Sequence, residues 1–501
     1  MSKKFQVGTI VLAAIALAMA IAWACLNRGP WYDEFYTQYV TRADLGWGQA
    51  LGGSWLPDNH PPLYYALARA TAWMGAVETH RLLNLAIGVL TLIGGAVVVR
   101  DVPRLLPASA ALLLMLAGNQ WSVMSGSELR SYFLSLCAGT LLALSLSALS
   151  LTCEGGSRAR RAVYAITVLV AFNTHIVTTL IAGALIAPFL LAGLVRRDWT
   201  YARAIGTAPV LAGTIFVAIC LIQLPHWQAN TQKFWIESGF ATARWSIEYA
   251  LLRTLEANPL VLAGALLGVA LMGRDLMRTR SACAGVSTLA LLASGVVLGL
   301  AILVTLHLLR PMLIEKYLTA MVGAVSVGIA LACGRLLRGL GPRATALFLA
   351  VGLPLSIWGL VLNTGTAAAR YSWYGTARFI ARQVEDCPGT LVHVDRFWNG
   401  DVMAMPPADN LAVGPWAYRE VAGRFGFPLE PEGSRRLAQS CPTLFWAEHD
   451  SLQRFDRAMI LAHLRASGFA VDAIEVHRIG DGWVAEAAPN GAQATGTAGS
   501  R

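Results

Sequence analysis

Long apolar runs separated by short polar loops occupy the first 363 residues of the chain. A helix needs roughly 20 apolar residues to cross the hydrocarbon core of a bilayer. The runs predict spans at 7–27, 83–99, 106–119, 131–151, 162–173, 176–195, 204–222, 260–272, 285–307, 317–334 and 345–363. The pattern therefore predicts an all-α polytopic membrane protein. Two places admit a rival reading. Residues 162–195 also read as one long helix, which inverts everything after it, although the Arg196/Arg197 and Arg274 clusters oppose that. Lys3-Lys4, the first apolar run and Ala22-Trp23-Ala24 also read as a cleavable signal peptide, with Cys25 as a lipoprotein position. Trp23 fits a cleavage site poorly, and the run is long for a signal sequence.

Past residue 363 the pattern becomes that of a water-soluble domain. Tyr374–Asp386 reads as an amphipathic helix and Ser451–Ala466 as a second one. Thr390–Val394, Thr443–Trp446 and Phe469–Val476 read as strands. The expected division is a membrane domain over 1–363, a small α/β extramembrane domain over 364–487, and a disordered Ala/Gly/Thr/Ser tail over 488–501.

Composition agrees with the pattern. Apolar residues make up 56% of the chain and charged residues 14%, and the mean hydropathy is +0.54. Soluble proteins carry roughly 25% charged residues. The net charge of +10 would suit nucleic acid, but the basic residues sit in short loops between the spans. Lys3/Lys4, Arg100/Arg104, Arg158/Arg160/Arg161, Arg196/Arg197/Arg203, Arg274/Arg278/Arg280 and Arg335/Arg338/Arg343 fall in alternate loops. The positive-inside rule then puts the N-terminus in the cytoplasm and the C-terminal domain outside. Cys25, Cys137, Cys153, Cys220, Cys283 and Cys333 lie in or beside spans and read as packing residues. Cys387 and Cys441 each precede a proline and a predicted strand in the outer domain. They read as a disulfide, or else as two separate buried thiols.

The polar residues that break the pattern collect on one side. Asp33-Glu34 follow the first span, where carboxylates are costly beside a bilayer and mark function. Asn59-His60-Pro61-Pro62-Leu63-Tyr64-Tyr65 closes the next outer loop. Ser127-Glu128-Leu129-Arg130-Ser131-Tyr132 flanks the fourth span, and Arg310-Pro311 with Glu315-Lys316-Tyr317 precedes the tenth. Asn173 and His175 interrupt an apolar run, either for function or as a turn between two helices. His226, Trp227, Lys233, Phe234, Trp235, Arg244 and Trp245 form an interfacial belt or line a lipid groove. No Walker loop, Gly-x-Gly-x-x-Gly or His-Glu-x-x-His is present, so nucleotide chemistry lacks its usual phosphate cradle.

Together these motifs resemble those of GT-C glycosyltransferases over roughly residues 7–363. The resemblance is to the branch that includes protein O-mannosyltransferases, aminoarabinose transferases and rhizobial galacturonosyltransferases. It implies a GT-C fold, a sugar donor linked to polyprenyl phosphate, and transfer on the outer face of a bacterial inner membrane. The implied acceptor is a cell-envelope lipid, glycan or protein; nucleic acid is set aside by the placement of the basic residues in the loops between spans. Asp33 is then the catalytic base, and Glu34 a supporting or acceptor-contacting carboxylate. His60 stands where the aminoarabinose branch has lysine. With Arg130, Lys316 and Arg310 it is expected to hold the donor phosphate. Glu128 and His175 are expected near the acceptor or a metal, and a divalent cation is the one cofactor the resemblance leaves open.

Each residue also has a plainer reading. Asp33 suits a helix N-cap, and Glu128 with Arg130 suits a salt-bridged span end. Tyr64 and Tyr65 pack the loop onto the membrane or contact the prenyl chain. Two other functions fit parts of the chain. A transporter of lipid-linked sugar would place polar groups near the bilayer midplane, whereas here they gather toward one face. A non-catalytic assembly protein would not need Asp33 where it stands.

Overall fold

The computed structural model describes residues 2–152, 157–230, 236–279, 284–370, 372–394, 408–448, 456–480 and 482–489. Cys153, Cys283, Lys233, Phe234, Trp235, Arg280 and most of the 488–501 tail lie outside the described residues. The chain divides into two compact units. The first comprises 1–27 and 43–368, and the second 28–42 and 369–501. The Asp33-Glu34 segment thus groups with the C-terminal part of the chain rather than with the spans around it.

In the first unit every predicted span is a helix, from Ser2–Asn27 to Pro342–Ala368. Among the described residues nine helices are long and apolar enough to cross a membrane. Leu106–Gly118 and Arg158–Thr174 are shorter, with 13 and 17 residues. The chain breaks between Arg158–Thr174 and Ile176–Val195, where His175 adopts extended backbone angles, so residues 162–195 are not one helix. The Trp199–Asn230 helix runs well past its predicted end at 222 and carries His226 and Trp227. Part of the expected aromatic loop is instead the helix Phe240–Leu255.

Without a hydrophobic force between helices in lipid, close packing relies on small residues. Gly118 meets the backbone of Ala257, Gly139 that of Ala320, and Gly268 that of Ala332 so tightly that no Cβ fits. Among the described residues Tyr132–Thr152 and Glu315–Gly339 are the most enclosed spans, with 83% and 72% of their most apolar stretch buried. They therefore form the core of this unit. The architecture is that of a multi-pass membrane protein.

The second unit holds a four-stranded sheet in the order β1-β2-β4-β3. The strands are β1 (Leu391–Val394), β2 (Thr443–Ala447), β3 (Glu475–Ile479) and β4 (Gly482–Ala487). β1 and β2 are parallel, and β4 is antiparallel to both β2 and β3. A parallel pair needs a long crossover, and the helix Asn410–Phe425, not foreseen in the sequence, lies within it. The Tyr374–Asp386 helix has the bounds the sequence predicts. The third predicted strand, 469–476, is displaced, and only Glu475 and Val476 of it pair in β3. Phe469 and Val471 are buried against the sheet as core residues, and the strand begins at Glu475. It turns at Gly480, whose φ of 61° favours glycine. The last helix starts at Arg457, where the Asp456 carboxylate accepts from the Met459 N–H at 2.8 Å, and residues 451–455 lie outside the described ones. The structure joins Cys387 to Cys441, with 5.8 Å between their Cα atoms.

Candidate functional site

One amide ties the loop at 55–62 to a neighbouring helix at three points. Gln223, on the Trp199–Asn230 helix, donates to the carbonyls of Trp55 (3.2 Å), Asp58 (3.0 Å) and His60 (3.0 Å). Its two N–H groups, one of them shared between two carbonyls, help fix the loop's path. Pro62 occupies the N-cap of Leu63–Ala70, where a missing N–H costs nothing.

Within this loop Asp58 is buried, and its carboxylate lies 3.4 Å from His60 Nδ1. It also accepts from the Asn59 N–H at 2.7 Å and from the buried Tyr65 hydroxyl. Burial raises the Asp58 pKa, but the His60 charge and the bonds from His60, Tyr65 and Asn59 outweigh it, so the group lies below the usual carboxylate range. Burial and the Asp58 charge push the Tyr65 phenol up against the opposing pull of Arg130, so Tyr65 remains a proton donor.

His60 meets His175, with ring centroids 4.9 Å apart. His175 N-caps the Ile176–Val195 helix, its Nδ1 accepting from the Val177 N–H at 3.2 Å. Burial, with the charges of His60 and Arg130, holds His175 well below the usual histidine range, so it is neutral. A neutral ring whose Nδ1 accepts must carry its proton on Nε2. That Nε2–H is buried and has no hydrogen-bond partner among the described residues.

Two cations complete the cluster. The Arg130 guanidinium carbon lies 5.9 Å, and Lys316 Nζ 5.6 Å, from the centre of the Tyr132 ring. Tyr317 lies 5.9 Å from Tyr132 and 4.6 Å from His175. Four separate segments thus bring His60, Arg130, His175 and Lys316 around two tyrosines. Glu128, two residues before Arg130, is buried, and its carbonyl accepts from Asn84 Nδ2 at 2.7 Å. Arg310 is exposed just past the Ala284–Leu309 helix and stays outside the cluster.

Asp33 and Glu34 lie in the second unit, in the first turn of the helix Tyr32–Val40. The N-cap of that helix is Trp31, so Asp33 does not cap it. Asp33 is partly exposed. Burial, and then the charges of Asp33 and Asp409, raise the Tyr32 phenol, which donates to Asn410 at 2.7 Å. Phe35 packs against Trp373 and Trp416, at 5.0 and 6.2 Å between ring centroids. Glu34 is fully enclosed, 3.9 Å from the equally buried Arg28. A buried carboxylate needs such a partner, and this pairing places Glu34 inside the fold. Among the described residues no three His, Cys, Asp or Glu side chains gather as a metal site.

Among solved structures the chain is similar to ArnT from Cupriavidus metallidurans in the apo state. The TM-score is 0.51 at 15% identity, over 96% of this chain and 99% of that one. The chain has the GT-C fold. A second structure of ArnT, bound to undecaprenyl phosphate, gives a TM-score of 0.48 at 15% identity, over 98% and 99% of the two chains. No family model and no curated protein matches the sequence.

The sequence reading missed Asp58 and Gln223. Asp58 stands one residue ahead of the Asn59–Tyr65 motif, and a carboxylate two residues before a histidine in a proline-rich loop was the available signal. Gln223 is a lone amide within an apolar run, a weaker but real sign of a structural bond. The bond from the Tyr65 hydroxyl to Asp58 is a tertiary contact that the local pattern does not signal.

Proposed function

We propose that the chain is a membrane glycosyltransferase that moves a sugar from a polyprenyl-phosphate donor to a cell-envelope acceptor on the outer face of the inner membrane. The observation that carries this reading is the cluster of Arg130, Lys316, His60 and the unpartnered Nε2–H of His175 around Tyr132 and Tyr317. Such a set of donors suits a phosphate bearing one or two negative charges. Arginine offers phosphate a two-pronged hydrogen bond and lysine a point charge. A neutral histidine adds a donor without adding charge.

In the proposed reaction an acceptor hydroxyl oxygen attacks the anomeric carbon of the sugar. The bond from that carbon to the phosphate oxygen breaks, and its electron pair leaves on the phosphate. Arg130 and Lys316 stabilise that developing charge. The hydroxyl proton passes to Asp33 as general base. Glu34 supports the Asp33 segment through its buried pair with Arg28, and Asp58 and Tyr65 hold His60 in place. The energy of transfer is already stored in the sugar–phosphate bond, which fits the absence of a nucleotide cradle.

Binding of polyprenyl phosphate to Arg130→Ala and Lys316→Ala tests the reading. Loss of one charge-assisted bond costs about 1.5–3 kcal/mol, so each variant should bind the lipid roughly ten- to a hundredfold more weakly with little change in melting temperature. Unchanged affinity in both would make these residues structural.

A further inference from the structure

A groove in the first unit lies away from this cluster, between the N-terminal turns of the Ser2–Asn27 and Pro342–Ala368 helices. Its volume is about 1100 Å³. Phe5, Gly8, Leu12, Ala346 and Ala350 form much of its apolar wall. The one hydroxyl in it, on Thr9, is bonded to the Phe5 carbonyl at 3.0 Å. Lys4 and Arg343 are the only charged residues lining it among those described, and both are exposed at its rim.

Two features distinguish this groove from an ordinary gap between helices. The first concerns its glycines. Gly118, Gly139 and Gly268 allow helices to touch, whereas a Cβ added to Gly8 or Gly341 meets nothing within 4 Å. Close packing therefore does not account for glycine at position 8, where its effect is to leave the groove open; Gly341 also caps the Pro342–Ala368 helix, its carbonyl accepting from the Thr345 N–H at 3.0 Å. The second concerns charge. Two cations and no carboxylate stand at one end of an apolar channel, which is the chemistry of a lipid with an anionic headgroup.

We propose that this groove binds one anionic glycerophospholipid, with its phosphate between Lys4 and Arg343 and an acyl chain along Gly8, Leu12, Ala346 and Ala350. The site is separate from the donor cluster. Lys4 lies 21 residues, or about 30 Å of helix, before Cys25. Cys25 in turn contacts the carbonyl of Gly126, next to the Glu128–Arg130 segment, at 3.6 Å.

Native mass spectrometry of the full-length protein, with phosphatidylglycerol and phosphatidylcholine offered together, tests the proposal. Wild type should keep one phosphatidylglycerol in clear preference to phosphatidylcholine. The double variant Lys4→Gln/Arg343→Gln should lose most of that preference, at roughly fivefold per removed cation. Gly8→Leu should fill the groove and abolish retention of the lipid. It points into open space in a helix, where leucine is a better helix former than glycine, so the variant should fold at least as well as wild type. Undiminished retention by folded Gly8→Leu would overturn the proposal. So would a wild type without headgroup preference, or displacement of the bound lipid by equimolar undecaprenyl phosphate.

Discussion

Asp58 is buried, 5% exposed, and engages three partners at once. Replacing it with alanine removes a hydrogen bond to a charged group, worth about 1.5–3 kcal/mol, and strands the buried Tyr65 hydroxyl at a further cost of about 1–3 kcal/mol. Asp58→Ala should therefore lose roughly 3–5 kcal/mol of stability. Asp58→Asn keeps the shape and can retain the bonds to Tyr65 and Asn59, so it should lose only about 1–2 kcal/mol. The pH dependence is a second reading of the same contact. The folded Asp58 lies below the usual carboxylate range. Its stabilising effect is present above the unfolded value of about 3.9 and is lost as pH falls through the lower folded value. Thermal unfolding of the detergent-solubilised protein between pH 3 and pH 7, followed by tryptophan fluorescence, measures both effects. Wild type should lose stability below about pH 4, and Asp58→Asn should lose less over the same interval. Equal melting of wild type and Asp58→Ala, or identical acid profiles for wild type and Asp58→Asn, would refute the reasoning.

The Cys387–Cys441 bridge closes a loop with a sequence separation of 54, so its removal by a double serine substitution should cost about 4 kcal/mol in the chain-entropy model; non-reducing peptide mapping should recover the two peptides joined, and free thiols at both positions would contradict the pairing. Reporter fusions at Ser157, Gln228 and Gly433 should read cytoplasmic for the first and extracytoplasmic for the other two. A cytoplasmic signal at Gly433 would contradict the proposed orientation.

The membrane fold was legible because helix crossing imposes one strong requirement, a long apolar run, and all eleven runs form helices. The break at His175 was legible as an interruption, although its capping role emerges only from the backbone bond to Val177. What escaped the sequence depends on tertiary contact. The run 469–476 is apolar enough for a strand, but Phe469 and Val471 pack on the sheet rather than in it. Helix Phe240–Leu255 mixes Arg244, Glu248 and Arg253 with aromatics, so it reads as an interfacial loop until its i,i+4 pair Arg244–Glu248 is seen at 2.6 Å. At the site, single residues with obvious charge were legible, namely His60, Arg130 and Lys316. Asp58 and Gln223 were not, because each acts through partners distant in sequence or through backbone atoms. The enclosure of Glu34 with Arg28 follows from the packing of residues 28–42, which no local pattern encodes.

The central claim is most directly tested by sugar transfer from a radiolabelled polyprenyl-phosphate donor, offered with cell-envelope acceptors to wild type and Asp33→Asn. The substitution preserves shape and removes the proton acceptor. General-base catalysis contributes about 10²–10⁴ in rate. Wild type should release polyprenyl phosphate and label the acceptor, and folded Asp33→Asn should bind the donor normally yet transfer at least about a hundredfold more slowly. Near-normal turnover by folded Asp33→Asn would contradict the base assignment, and intact donor after incubation with wild type across the donor and acceptor panel would contradict the glycosyltransferase itself.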